Sequence, residues 1–124
     1  VVDEVEDLPD DPSILDDDLL LRRVHPIQIK ADGTFDRSIF RNDTGGYGTS
    51  LTVWRSDADM AAIATGHDEK AIVAIKASEL RKHGLKLAFT YEEGNPNHCE
   101  AIGHRTKGMM GQMRDASQKV RDPL

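Results

Sequence analysis

Apolar positions along this chain come in short bursts, and the spacing within each burst tells which element it belongs to. Leu19 to Val24 reads as a strand that is buried at its leucine end, with Pro26 closing it. Ile27 and Ile29 alternate with Gln28 and Lys30, the period of a half-buried strand. Asp32-Gly33 is a hairpin turn signal, because glycine accepts positive φ. Phe35 to Phe40 is then expected as the returning strand. Residues 42–49, with three glycines, read as a loop. Leu51 to Trp54 is rich in β-branched and aromatic types and predicts the next strand.

Ser56 with Asp59 forms a capping box that opens a helix through Met60 to Ala64, with Gly66 as its stop. Ala71 to Ile75 is an unbroken apolar run, as expected of a strand covered on both faces. Lys76 to His83 predicts a short charged helix ended by Gly84, and Leu85, Leu87 and Phe89 a further strand. Glu93 to Pro96 is a turn and His98 to Ile102 the last strand. Met109, Met113, Ala116 and Val120 fall on one face of a final helix over 106–120. The sum is an α+β fold: one compact domain with a mixed, mostly antiparallel sheet, two or three helices, and the C-terminal helix packed on the sheet.

Charge divides this picture. Residues 1–18 hold nine acids and no base, while the other 106 hold 13 acids and 16 bases. With Pro9 and Pro12 interrupting any helix, 1–18 reads as a flexible acidic arm ahead of a domain over 19–124, removable by protease to leave a stable core. Ser13 and Asp16 offer at most one helical turn there. Val1 in place of an initiator methionine points to a trimmed chain. The start has acids where a signal peptide has bases and an apolar stretch, no run is long enough to span a membrane, and the single cysteine, Cys99, excludes an internal disulfide. A cytoplasmic location is expected.

Chemistry concentrates near the C-terminus. Gly103, His104, Arg105, Thr106, Lys107 and Gly108 lie between a predicted strand and a predicted helix. A helix start has free amides and a positive dipole end, so this segment is an expected cradle for phosphate or carboxylate, with Arg105 and Lys107 facing solvent. Five bases against one acid over 103–121 strengthen that expectation. Met109 and Met110 stand where a Walker A loop needs lysine and serine or threonine. His98, Glu100 and His104 share one face if the strand runs that far, types suited to acid–base work. No His-x-x-x-His or His-x-His spacing supports a metal, and no cofactor is expected. Tyr47, in the glycine loop, is the aromatic best placed to stack on a flat ligand.

Leu21 to Pro26, Asp32-Gly33, Ser38 to Phe40, Leu51 to Val53 and Gly94 to Gly103 together resemble a set of small uncharacterised bacterial proteins, which implies a free-standing bacterial domain and no particular activity. A second likeness concerns residue order. Arg23 or His25, then Ser50 or Thr52, then Glu100 is similar to the order in ADP-ribosyltransferase-like folds. That resemblance implies that the first residue holds a nicotinamide dinucleotide and the carboxylate stabilises an oxocarbenium ion.

Two functions follow as expectations. The first is a non-enzymatic binding or accessory module that meets a protein partner, or a nucleotide or phosphate ligand, through the loop and helix over 103–121. The alternative is a small nucleotide-acting enzyme with Arg23, His98 and Glu100 in its site. Nucleic acid is not expected as a partner, since the acidic arm opposes it, and neither is a membrane.

Overall fold

The computed structural model describes residues 8–43 and 48–124. Six strands form a single sheet: β1 (Leu19–Val24), β2 (Gly48–Val53), β3 (Ala71–Lys76), β4 (Lys86–Phe89), β5 (His98–Ile102) and β6 (Gln118–Arg121). Their order is β4-β5-β2-β1-β3-β6, and every neighbouring pair is antiparallel. Three helices complete the α+β domain: α1 (Asp57–Ala64), α2 (Ala77–Arg81) and α3 (Lys107–Ala116). No helix among the described residues is long and apolar enough to cross a membrane.

Strand alternation sends the two faces of the sheet to different surroundings. One face carries Leu20, Val24, Leu51, Val53, Val73, Ile75, Leu87 and Cys99 into the main core, closed by Ile39, Phe40, Leu80 and Met113. The other face carries a smaller apolar cluster under α1, with Ile63 against Leu21, Ile72 and Ala74. Beyond α1 that face turns polar. Ser50, Thr52, His98 and Glu100 lie there in register, Thr52 opposite His98 and Ser50 opposite Glu100.

Several elements depart from the pattern. Pro26–Gln28 and Arg37–Phe40 are 3-10 turns, not strands. Pro26 fits the first position of a helical turn, and Asp36 caps the second by accepting from the Ser38 amide at 2.8 Å. Ile27 is 93% exposed, whereas Gln28 is buried. Only the Ile29–Phe35 bridge survives of the expected hairpin, around Gly33 at φ +85°. Strand β2 begins at Gly48 inside the expected glycine loop, paired with Ile102, and glycine is needed there since a Cβ would meet the Ala101 carbonyl oxygen at 2.7 Å. The last helix stops at Ala116, and Gln118–Arg121 is an edge strand on β3. Met109, Met113 and Ala116 therefore face the main core, while Val120 joins the opposite cluster.

The acidic segment also departs from expectation over its described part. Ile14 is fully buried in the main core. Asp11 donates its amide to the Leu87 carbonyl at 2.7 Å, and Asp10 Oδ1 accepts from the Leu87 amide at 2.9 Å, so the segment covers the β4 edge. Arg81 fastens it, with Nε on Asp10 at 3.1 Å, Nη1 on Asp16 at 2.8 Å and Nη2 on the Asp11 carbonyl at 3.0 Å. A charge count does not register one isoleucine among nine acids, yet that side chain fixes where residues 10–18 lie. Residues 1–7 lie outside the described part.

Candidate functional site

Strand β1 pairs with β3 along all six residues but with β2 only at Leu20–Val53 and Leu21–Thr52. Beyond that point the two strands part. The Ser50 main chain, left without a ladder partner on that side, is satisfied by side chains instead: its amide donates to Asp43 Oδ2 at 2.8 Å and its carbonyl accepts from Arg22 Nη1 at 2.9 Å. Arg22 also donates to the Ile39 carbonyl at 2.9 Å and to Asp43 Oδ1 at 2.8 Å. Burial pushes the Asp43 carboxyl up, but the hydrogen bond and charge of Arg22 and the bonds from Ser50 outweigh it and hold the group below the usual carboxylate range.

A cleft of about 200 Å³ opens at this parting. Its floor is Leu21, Arg23, Ser50 and Thr52, α1 contributes Ile63, and His25, Asp43, Glu92, Asn95 and His98 enclose it. Of the residues singled out from the sequence, Arg23, His25, Ser50, Thr52 and His98 meet here. Glu100 stands on the same face of β5 opposite Ser50, just outside the cleft lining. Burial raises its carboxyl above the ordinary value, against a lowering from His98. His104 lies past the end of β5 and is exposed, so it does not complete a face with His98 and Glu100.

The cleft is cationic at its β1 end. Partial burial lowers the His25 pKa, and Lys70, Arg22, Arg23 and Arg41 lower it further. His67 is lowered in the same way, by burial and then by Arg23 and Lys70. Arg23 is half-buried, and among the described residues its guanidinium makes no hydrogen bond or ion pair. The other half-buried arginines are all engaged: Arg22 on Asp43, Arg81 on Asp10 and Asp16, Arg114 on Asp115, Arg105 and Arg121 on carbonyl oxygens.

The 103–108 segment takes a different role from the one its composition suggests. Thr106 does cap α3, accepting from the Met109 amide at 3.1 Å. Arg105, however, turns inward onto the Gly103 carbonyl at 2.6 Å, the Ala101 carbonyl and the Asn42 side-chain oxygen. Burial, and then the Arg22 charge, pull its pKa down to about 10. It is a clamp on the main chain, its guanidinium committed to these oxygens and not held out to an anion as the expected cradle required, and it does not pair with Glu100. Gly103 is fixed by packing, since a Cβ would meet Leu85 Cδ2 at 2.9 Å. His104 and Lys107 are exposed. Lys119 pairs with Asp122 at 2.6 Å.

Gly108 and Gly111 meet no such constraint, because a Cβ at either would find its nearest neighbour at 3.9 Å. Replacing each by alanine should stabilise the protein by roughly 0.8–1 kcal/mol, read as a raised urea midpoint. A lowered midpoint would show that these glycines are needed for close approach.

Cys99 is buried in the main core, where burial, then the Glu100 charge, push its thiol up to about 12, so it is no nucleophile. Tyr47 lies outside the described residues. The cleft was only partly legible in the sequence: Asp43, Glu92 and Asn95 carry no motif, and only the parting of β1 from β2 and the turn before β5 bring them together. Compared with known proteins, the chain matches no family model, no curated protein and no solved structure.

Proposed function

We propose that the protein is a binding module for a small anionic ligand, held in the cleft on the polar face of the sheet. The observation that carries this reading is Arg23. Its guanidinium lies half-buried on the cleft floor without a partner among the described residues, whereas every other half-buried arginine is engaged. Partly desolvating a cation without a counter-charge costs free energy, and a phosphate or carboxylate on the ligand recovers it. His25 and its neighbouring cations add to the attraction. The anion site thus moves from the expected 103–121 segment to the sheet.

Inorganic phosphate tests the reading. Calorimetric titration of the full chain should show binding that weakens at least tenfold in Arg23→Ala, with an unchanged unfolding midpoint. Phosphate should also raise the His25 pKa toward its ordinary value, because the bound anion offsets the cations that lower it. The sign follows: His25 takes up a proton on binding, so affinity for sulfate, whose charge is constant over this range, should increase as pH falls through the histidine range. Phosphate binding that is indifferent to Arg23→Ala, or no binding at tens of millimolar, overturns the proposal.

A second reading keeps the same cleft and adds turnover. It is favoured by His98 lining the cleft together with Arg23, with Glu100 one alternation along β5. Release of phosphate from a bound phosphoester, lost in His98→Gln while binding persists, would select it over simple binding.

A further inference from the structure

The end of the cleft away from Arg23 has acceptors in excess of donors. Asn95 is 3% exposed, in the turn before β5. Its Nδ2 donates to Thr52 Oγ1 at 2.9 Å and lies 3.4 Å from Glu92 Oε1. A carboxylate only accepts, so this pairing fixes the amide orientation and leaves Oδ1 as the other edge. That Oδ1 is buried and has no hydrogen-bond partner among the described residues.

His98, 8% exposed, lines the cleft with it. Its Nδ1 lies 3.2 Å from the Thr90 carbonyl oxygen and 2.8 Å from Thr90 Oγ1. A carbonyl oxygen only accepts, so Nδ1 is spent on Thr90 and Nε2 is the ring atom left for another partner. Nε2 stands 3.3 Å from Glu92 Oε2 without hydrogen-bond alignment, and it too is buried and unpartnered. The Glu92 side chain is half-exposed and free to turn aside.

We infer that this end of the cleft reads the hydroxyl groups of its ligand, so that the ligand is a phosphorylated polyol of monosaccharide size, its phosphate on Arg23 and its hydroxyls on Glu92, Asn95 and His98. This inference rests on the anion-binding reading above. Hydroxyls fit better than an ammonium group, because the buried orphan acceptor Asn95 Oδ1 is a neutral amide oxygen, and a buried ammonium calls for a buried carboxylate against it. The size follows from the cleft, whose volume of about 200 Å³ is below the roughly 300–1,000 Å³ typical of pockets for drug-sized ligands.

Ribose 5-phosphate, phosphoethanolamine and inorganic phosphate separate the possibilities by calorimetric titration of the full chain. Ribose 5-phosphate should bind at least tenfold tighter than either of the others. Asn95→Ala should erase that preference while leaving inorganic phosphate binding intact. Since Asn95 also holds Thr52, Glu92→Gln gives a second test at a half-exposed position. Its new amide donor would satisfy Asn95 Oδ1 from within and lower ribose 5-phosphate affinity at least threefold, with phosphate unchanged. Equal affinity for ribose 5-phosphate and phosphate overturns the hydroxyl reading and leaves the anion site standing, as does tighter binding of phosphoethanolamine. Absence of binding by all three compounds overturns both.

Discussion

A chain that starts at Leu19 is expected to lose most of its stability, although the residues removed carry nine acids and no base. Ile14 is fully buried in the main core, beside side chains such as Leu80 and Leu87. Cutting Ile14 to alanine alone should cost about 2–5 kcal/mol by analogy with other buried aliphatic truncations. Domains of this size have a total stability of about 5–15 kcal/mol. Truncation also uncovers the Leu87 amide and carbonyl on the β4 edge and strips Arg81 of Asp10 and Asp16. Urea unfolding of Ile14→Ala, of Asp17→Ala as an exposed control and of the truncated chain would measure this. A truncated chain with the midpoint of the full protein would place residues 8–18 outside the cooperative unit. Limited proteolysis of the full chain should accordingly stop before Asp10.

The segments that the pattern placed well are those in which one period dominates. Ala71–Ile75 has no competing reading, and Ser56 with Asp59 marks a helix start through side chains that bond in the way the capping box requires, Asp59 Oδ2 accepting from the Ser56 amide at 3.0 Å. Failures arise where two periods fit the same residues. Ile27 and Ile29 alternate like a strand, yet Pro26 supplies the φ of a helical turn and prevails. Val120 follows Ala116 by four residues, which continues a helix, but Gln118 to Arg121 instead pair along β3, and no glycine or proline marks the change at Ser117. Charge patterns mislead for a related reason. A count of bases over 103–121 treats Arg105 and Lys107 alike, whereas the fold buries the first against its own carbonyls and exposes the second. Arg23 and His98 were legible as chemistry-bearing types, but they stand on β1 and β5, with β2 between them. Their meeting in one cleft depends on how far β1 pairs with β2, and local sequence does not encode that extent.

The same parting of β1 from β2 sets the other large expected effect. Arg22→Ala should destabilise the protein by about 3–5 kcal/mol, the range for removing one partner of a largely buried ion pair. Arg22 is mostly buried and makes three bonds in different directions, to the Ile39 carbonyl, the Ser50 carbonyl and Asp43. Its loss leaves two carbonyls without a donor and the Asp43 charge without its cation. Lysine does not restore the fork geometry, so Arg22→Lys should recover only part of the loss. An acid titration distinguishes this mechanism from simple loss of packing. Because the Asp43 pKa is depressed in the folded protein, the pair stabilises the fold fully above the unfolded carboxyl value of about 3.9 and progressively less as pH falls toward the lower folded value. In Arg22→Ala that part of the acid dependence should shrink or invert, since burial alone pushes the Asp43 carboxyl up. An acid unfolding profile parallel to that of the unsubstituted protein would show that Arg22 acts through packing and not through Asp43.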